Sequence, residues 1–392
     1  MNASHSVQME NITLSLSMNN SLERIQTMAG DAQCFTYTDN AALKALMIVG
    51  YSVVMGTSIV GNTLLAFIYF KSKTMKNTVN CCIMNMVFAD FLLTLVYMPR
   101  MMSRVFIGLE WVVGGIPGLV LCKIVSLSHE ISICVSILTV VIIAFERFFA
   151  VALPLRVVIS KKLSIVLLCG TWLIALAARS PMLYGVKMVR LQSGELVCFW
   201  FPYLIFHTER AIKLYHYFMV IAFYGLPLLC IITLYTAIVI FLRRRAGLID
   251  NITRQRALVT SKKVTKMILA VITAFLLCWM LYFLLLPLDG FWNGSIPCGL
   301  YFVRFFLGHV NSACNPIICL VFSENYRNGI KTILRHAKWK IPGRQILRVS
   351  SARDRSVSNM ELLSVRTLEA DESFEYSGAT VNANLQYDEN RL

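Results

Sequence analysis

"ISICVSILTVVIIAFERFFAV", Ile131 to Val151, is the stretch that decides the fold. It is an apolar run broken by adjacent Glu146 and Arg147, after which the apolar character resumes. Placing ionised side chains in hydrocarbon costs several kcal/mol, so a charged pair at the end of such a run marks a water boundary, a working site, or both.

Outward from this run the same pattern recurs. The chain of 392 residues is 57% hydrophobic and only 15% charged, against roughly 25% charged in soluble domains, which points to a lipid-embedded protein. Seven stretches, about 42–70, 77–103, 119–152, 163–184, 212–242, 264–288 and 299–322, can each span roughly 30 Å of hydrocarbon. Helices are the expected form, because an isolated apolar strand leaves its backbone unsatisfied in lipid. An odd number of spans puts the two ends on opposite sides.

The basic residues set the orientation. Lys71, Lys73 and Lys76 follow the first span; Arg156, Lys161 and Lys162 the third; Arg243, Arg244, Arg245, Arg254, Arg256, Lys262 and Lys263 the fifth. Lys331, Arg335, Lys338 and Lys340 follow the seventh. All of these fall on one face, which is therefore cytoplasmic, with the amino terminus outside a multi-pass protein of the plasma membrane. The formal charge of +16 is spread over these loops rather than along a polar domain, so no nucleic-acid partner is expected.

Residues 1–41 form a polar arm with sequons at Asn2, Asn11 and Asn19, as suits a glycosylated extracellular segment. The arm carries no basic n-region or apolar h-region, so the first span is expected to act as the signal. Asn251 also fits the sequon pattern but lies on the cytoplasmic side. After the last span, "SENYRNGIKTILRHAKWK" (323–340) places Tyr326, Ile330, Ile333 and Leu334 at helical spacing among basic residues. That pattern predicts an amphipathic helix on the inner leaflet of the bilayer. No cysteine follows Cys319, so palmitoylation of this helix is excluded. Residues 341–392 turn polar, Ser-rich and finally acidic, as a disordered cytoplasmic tail would. Ser350, Ser351, Ser356 and Ser358 beside Arg353 and Arg355 are candidate kinase targets.

Of the twelve cysteines, Cys81, Cys82, Cys134, Cys169, Cys230, Cys278, Cys314 and Cys319 fall in or at spans and read as small packing residues. Cys34, Cys122, Cys198 and Cys298 lie outside, where oxidation favours disulfides, and four cysteines allow three pairings.

From Gly61 to Tyr326 the chain resembles a rhodopsin-like (class A) G-protein-coupled receptor. The motifs that carry the resemblance occur in order through all seven spans: Gly61-Asn62; Asn85 and "FAD" ending in Asp90; Cys122 and Glu146-Arg147, followed by Pro154-Leu155; Trp172 and Pro181; Pro227 and Tyr235; "FLLCW" with Phe275 and Trp279; and "NSACNPIIC" with Asn311, Asn315 and Pro316. Each is weak alone; together and in sequence they are specific. The resemblance implies an all-α membrane protein: a seven-transmembrane bundle, an amphipathic eighth helix and a short extracellular β-hairpin, with no catalysis of its own.

It also implies roles. Cys122 would pair with Cys198, and we expect the remaining Cys34 and Cys298 to form a second bridge. Arg147, held by Glu146, would engage a heterotrimeric G protein when the sixth span swings outward, with Tyr235, Phe275, Trp279, Asn315 and Pro316 in the switch. A guanidinium at a helix end can exchange one partner for another, which suits it to such work. Asp90, Ser136, Asn311 and Asn315, with Asn62 and Ser312 nearby, would surround an allosteric sodium ion, a hard cation suited to oxygen ligands; no other cofactor is implied. Arrestin and receptor kinases would read the tail.

Departures from the family pattern bear on the switch. Phe148 follows Arg147 in place of Tyr, Cys319 replaces the Tyr that ends the seventh-span motif, and Leu281 replaces the sixth-span proline. Ser261, rather than an acid, stands at the position that would lock Arg147.

For the ligand, the position where amine receptors carry Asp is His129, followed by Glu130, and the retinal-lysine position of opsins is His309. An amine receptor thus loses its main counter-ion, with Glu130 one position on left as an acid that could face the pocket at a different angle, and a light receptor is not implied. "GVKMVRLQSGELVCFWF" (185–201) alternates in character about Gln192-Ser193-Gly194-Glu195 and predicts a β-hairpin. It is similar to the hairpin of the family's peptide receptors. Arg100, His129, Glu130, Tyr282, Phe305 and His309 would form a polar and aromatic pocket for the end of an extracellular neuropeptide. The alternatives are a receptor for a lipid or other small molecule, and a signalling-silent receptor-like scaffold. A carrier would show internal repeats, and His129, His207, His216 and His309 lack the spacing of a metallohydrolase.

Overall fold

The computed structural model describes residues 40–339, apart from 73–74, 154–155, 157, 192–193, 247–251 and 289–296. The sequons Asn2, Asn11 and Asn19, Cys34 and the tail lie outside these residues, as do the side chains of Cys298 and Ser261. All contacts reported below fall within one packed unit that ends at Arg335.

Among the described residues, seven helices are long and apolar enough to cross a membrane. They are α1 (Ala41–Lys71), α2 (Thr78–Ile107), α3 (Gly115–Ala152), α4 (Lys161–Arg179), α5 (Glu209–Val220, Ile221–Gly225 and Leu226–Ala246), α6 (Ile252–Leu285) and α7 (Cys298–Phe322). An eighth helix, α8 (Glu324–Trp339), follows α7 after a single residue. Side-chain caps start several of them. Asn40 Oδ1 accepts from the backbone N–H of Ala42 at 2.9 Å, Ser160 Oγ from Leu163 at 3.2 Å, and Thr208 Oγ1 from Ala211 at 3.2 Å. Each satisfies a donor that the first helical turn cannot.

Helices α2, α3 and α7 are the most buried and form the centre of the bundle, while α1, α4 and α5 turn mostly outward. Outward positions such as Val60, Leu173, Phe70 and Leu229 are large, apolar and exposed, the inverse of a soluble bundle and the arrangement lipid requires. Helices α1 and α7 pack closely at Gly61, where an added Cβ would lie 2.6 Å from the ring of Pro316.

Two of the helices contain a π-helical turn: Leu93–Tyr97 in α2 and Ile221–Gly225 in α5. Each is followed two residues later by a proline, Pro99 and Pro227. A proline lacks the N–H donor and its ring strikes the carbonyl four residues back; the wider turn relieves both defects without breaking the helix. In α6, by contrast, helix runs through Leu281 to Leu285, and Pro287 enters only in a final 3-10 turn, Leu286–Leu288.

Strands β1 (Val186–Arg190) and β2 (Leu196–Trp200) form an antiparallel hairpin in register Val186↔Trp200, Met188↔Cys198 and Arg190↔Leu196. Gly194 takes φ 88° in the turn, a left-handed value that favours glycine. A bridge from Glu110 to Val197 and a hydrogen bond from Trp111 N–H to the Leu196 carbonyl tie β2 to the segment after α2. The Cys122–Cys198 disulfide fixes the hairpin to the outer end of α3.

Three boundaries differ clearly from the sequence expectation. The fourth span was expected to reach 184, but α4 ends at Arg179, and a short turn, Pro181–Gly185, follows because Pro181 cannot continue the helical ladder. Residues 243–263 read as a basic inner loop, yet α5 extends to Ala246 and α6 begins at Ile252. A hydropathy reading stops where charges begin, whereas Arg, Lys, Leu and Ala propagate helix in water as readily as in lipid.

Candidate ligand pocket and coupling face

The outer half of the bundle encloses a polar and aromatic cluster centred on His129 of α3. Its ring centroid lies 4.3 Å from Tyr97 (α2), 5.9 Å from Trp279 and 5.5 Å from Tyr282 (α6), and 5.4 Å from each of Phe305 and His309 (α7). His309 Nδ1 in turn meets the Tyr51 hydroxyl of α1 at 3.0 Å. Five helices therefore supply one cluster. His129 Nδ1 is 3.0 Å from Glu130 Oε1, and since an ionised carboxylate only accepts, that nitrogen carries the proton. His129 Nε2, His309 Nε2 and the Trp279 indole N–H are buried with no hydrogen-bond partner among the described residues.

Of the residues expected in the pocket, His129, Glu130, Tyr282, Phe305 and His309 thus come together. Arg100 does not join them. Its guanidinium donates to the Leu109 carbonyl at 2.7 Å and the Glu110 carbonyl at 2.8 Å and stacks over Trp111, so it is turned to the first outer loop. The π-turn below it inserts a residue, so a helical face drawn straight up from Asp90 does not reach it.

Two residues that sequence reasoning missed are prominent. Arg179, at the end of α4, is buried with Nη2 2.6 Å from Glu130 Oε2. Arg304 of α7 is buried over the rings of Tyr301 at 4.2 Å and Phe305 at 4.8 Å. The signal was available in both cases: an arginine within an apolar span is a functional candidate by default.

At mid-depth, Asn315 Nδ2 donates to Asp90 Oδ2 at 2.9 Å. Asn62 Nδ2 donates to Ser58 and to the Ser312 carbonyl, and the Ser312 hydroxyl is spent on the His309 carbonyl at 2.8 Å. The buried oxygens Asn62 Oδ1, Asn311 Oδ1 and Asn315 Oδ1 have no donor among the described residues, and Ser136 is buried as well. A carboxylate with neutral oxygen donors around it fits a small hard cation by chemistry. Beside this set, Asn85 donates to Thr139 at 2.8 Å and accepts from the Trp172 indole at 2.9 Å, joining α2, α3 and α4.

At the cytoplasmic end Arg147 is held by its own neighbour, Nε and Nη2 each meeting an oxygen of Glu146. Phe148 packs its ring 6.1 Å from Phe241 of α5. The Tyr235 hydroxyl is buried and has no partner among the described residues, and Cys319, also buried, offers no hydroxyl of its own. Phe275 lies beneath Trp279 at 6.3 Å, and Trp279 rests against Gly308, where a Cβ would come within 2.5 Å of the indole. Lys263 Nζ of α6 reaches Glu324 Oε1 of α8 at 2.8 Å, and this hydrogen bond and charge hold the Glu324 carboxyl below the usual carboxylate range. Burial pushes the Tyr326 hydroxyl up.

Known proteins are similar to this chain in sequence. The profile of the 7 transmembrane receptor (rhodopsin family) matches residues 61–318. The chain is 24% identical to the QRFP-like peptide receptor of Branchiostoma floridae, the match covering 74% of this chain and 78% of that protein. It is 27% identical to the RYamide receptor of Tribolium castaneum, over 72% and 79% of the two chains. It is also 27% identical to neuropeptide FF receptor 2 of Mus musculus, over 83% and 81%. The seven spans, the outer disulfide and the profile match agree, and the chain belongs to the rhodopsin family of seven-transmembrane receptors.

Proposed function

We propose that this chain is a cell-surface receptor for an extracellular neuropeptide, which it reports inward through a heterotrimeric G protein. As a member of its family it spans the membrane seven times with its amino terminus outside, and it is a receptor rather than an enzyme. The observation that carries the ligand reading is the hairpin β1–β2, held to α3 by Cys122–Cys198 and to the first outer loop by Glu110, above a polar and aromatic floor. A hairpin edge at the outer end of the bundle suits an extended chain whose end is received there. Two of the relatives named above are peptide or neuropeptide receptors by name, which supports the same reading.

In this reading His129, Tyr282, Phe305 and His309 receive the peptide end. His129 Nε2, His309 Nε2 and the Trp279 indole N–H have no partners among the described residues and can hydrogen-bond a terminal carboxamide or carboxyl group. Glu130 supports the floor, and Arg100 braces the first outer loop instead of touching ligand. Trp279, Phe275, Asn315 and Pro316 pass the change to the cytoplasmic half. There Arg147 leaves Glu146 for the G protein, and Tyr235 is the nearby hydroxyl free to take a new partner. Asp90, Ser136, Asn311 and Asn315 would hold a sodium ion, which supplies a charge that steadies the resting bundle. The amphipathic α8 lies on the inner leaflet of the bilayer, and the tail serves receptor kinases and arrestin.

The test is second-messenger output, calcium and cyclic AMP together, from cells expressing the chain while a library of amidated and free-acid neuropeptides is applied. A saturable response to one peptide, abolished by Arg147→Ala at unchanged surface expression, is the expected result. Silence across the library with the receptor at the surface defeats the peptide reading, and a response that survives Arg147→Ala defeats the coupling role.

A further inference from the structure

Glu130 stands one position beyond the family's amine counter-ion, and from sequence it is the acid best placed to meet a ligand cation in the outer bundle. The structure closes it off. Oε1 accepts from the Tyr282 hydroxyl at 2.5 Å and from His129 Nδ1 at 3.0 Å, while Oε2 faces Arg179 Nη2 at 2.6 Å. The partners come from α6, α3 and α4, so one carboxylate ties three spans together. Both hydrogen bonds fall on Oε1, and Oε2 is taken up by the ion pair with Arg179.

Arg179 is equally committed. It is buried at the end of α4, with Tyr215 of α5 and Cys134 of α3 interacting with it. A guanidinium removed from water incurs a large desolvation penalty, and Glu130 is the anion that offsets it. A ligand ammonium or guanidinium approaching Glu130 would be a second cation on one anion, repelled by Arg179 through a medium of low dielectric.

We propose that Arg179 is a specificity-determining residue: by holding Glu130 it denies the pocket a counter-ion for ligand cations, and it leaves the Tyr282 hydroxyl as the hydrogen bond from α6 to the pair. This rests on the receptor reading above and narrows its ligand class. The group that reaches the floor is uncharged or anionic, and it is read by ring nitrogens and aromatic faces. Motion of α6 that carries Tyr282 away releases one acceptor site of Glu130 while α3 and α4 stay joined.

The test uses the full-length receptor, purified in detergent, and follows thermal unfolding with and without tyramine or histamine. Wild type, Arg179→Gln, Glu130→Gln and the double variant are compared, with surface expression measured for each. Wild type is expected to ignore both amines. Arg179→Gln uncovers the carboxylate and gains a saturable amine-dependent rise in melting temperature, which the double variant loses again. Should Arg179→Gln fail to reach the surface, the double variant, which leaves no lone buried charge, is expected to recover expression. The proposal is overturned if amines stabilise wild type in a manner lost in Glu130→Gln. It is equally overturned if Arg179→Gln folds without gaining amine binding, or if the double variant does not recover what Arg179→Gln loses. None of these readings needs the native ligand, so failure of the peptide screen leaves them intact.

Discussion

Lys263 on α6 and Glu324 at the start of α8 form an ion pair, 2.8 Å from Nζ to Oε1, joining the cytoplasmic end of the sixth span to the helix after the seventh. Since Glu146 is the partner of Arg147 on its own helix, this pair is a restraint that does reach α6. Lys263→Glu and Glu324→Lys are each expected to raise ligand-independent second-messenger output, and the exchanged pair Lys263→Glu/Glu324→Lys to bring it back. Both side chains are largely exposed, so the rise should be no more than about a few-fold and should shrink in high salt. Because Lys263 lowers the Glu324 carboxyl, the contact is in force at neutral pH and is lost as the pH falls through that lowered value.

Gly308→Ala is expected to move Trp279. The added methyl would sit 2.5 Å from the indole, closer than packing tolerates, and Trp279 has almost no free surface on its other sides. Overpacking of this kind costs about 1–3 kcal/mol. Thermal unfolding of the purified receptor should show the loss, with an altered Trp279 emission spectrum identified against Trp279→Phe. An unchanged melting temperature would mean that α7 can yield there without cost.

Cys122→Ser is expected to lower surface expression sharply. The disulfide closes a sequence separation of 76 residues, and removing a native bridge costs about 2–5 kcal/mol. Cys198→Ser should match it, and the two changes together should cost no more than either alone. Additive losses would show that each sulfur matters for packing and not through the bond.

Sodium dependence can be read without a ligand. The melting temperature of the purified receptor is expected to rise in sodium chloride relative to choline chloride at equal ionic strength, and Asp90→Asn is expected to abolish the difference. A sodium effect that persists in Asp90→Asn would place the ion elsewhere. No sodium effect in wild type would leave Asn311 and Asn315 as a hydrogen-bonded network alone.

The spans were legible because lipid permits so few alternatives: an apolar run long enough to cross must be helix, and basic loops fall on one side. The hairpin was legible because residues 186–200 alternate about a glycine that takes a left-handed turn. What escaped were features with no period of their own. Arg179 could be marked from sequence as a cation inside the fourth span, but its partner could not, because Glu130, 2.6 Å away, is on another helix and far off in sequence. Arg100 shares the same apolar stretch as Asp90, and nothing in composition reports the π-turn between them. The cytoplasmic extension of α6 escaped because a hydropathy scan detects lipid, not helix.

The paired π-turns also bear on how such a chain can change length. Each absorbs one residue more than an α-turn, and each is followed by a proline whose missing N–H the wider turn accommodates. Deleting one residue from Leu93–Tyr97 together with Pro99→Ala should return α2 to plain α-helix while its two ends keep their faces. An extended helix can otherwise gain or lose a residue only by rotating everything beyond it by about 100°. These two turns are therefore the places where a bundle locked at both ends can tolerate insertion and deletion.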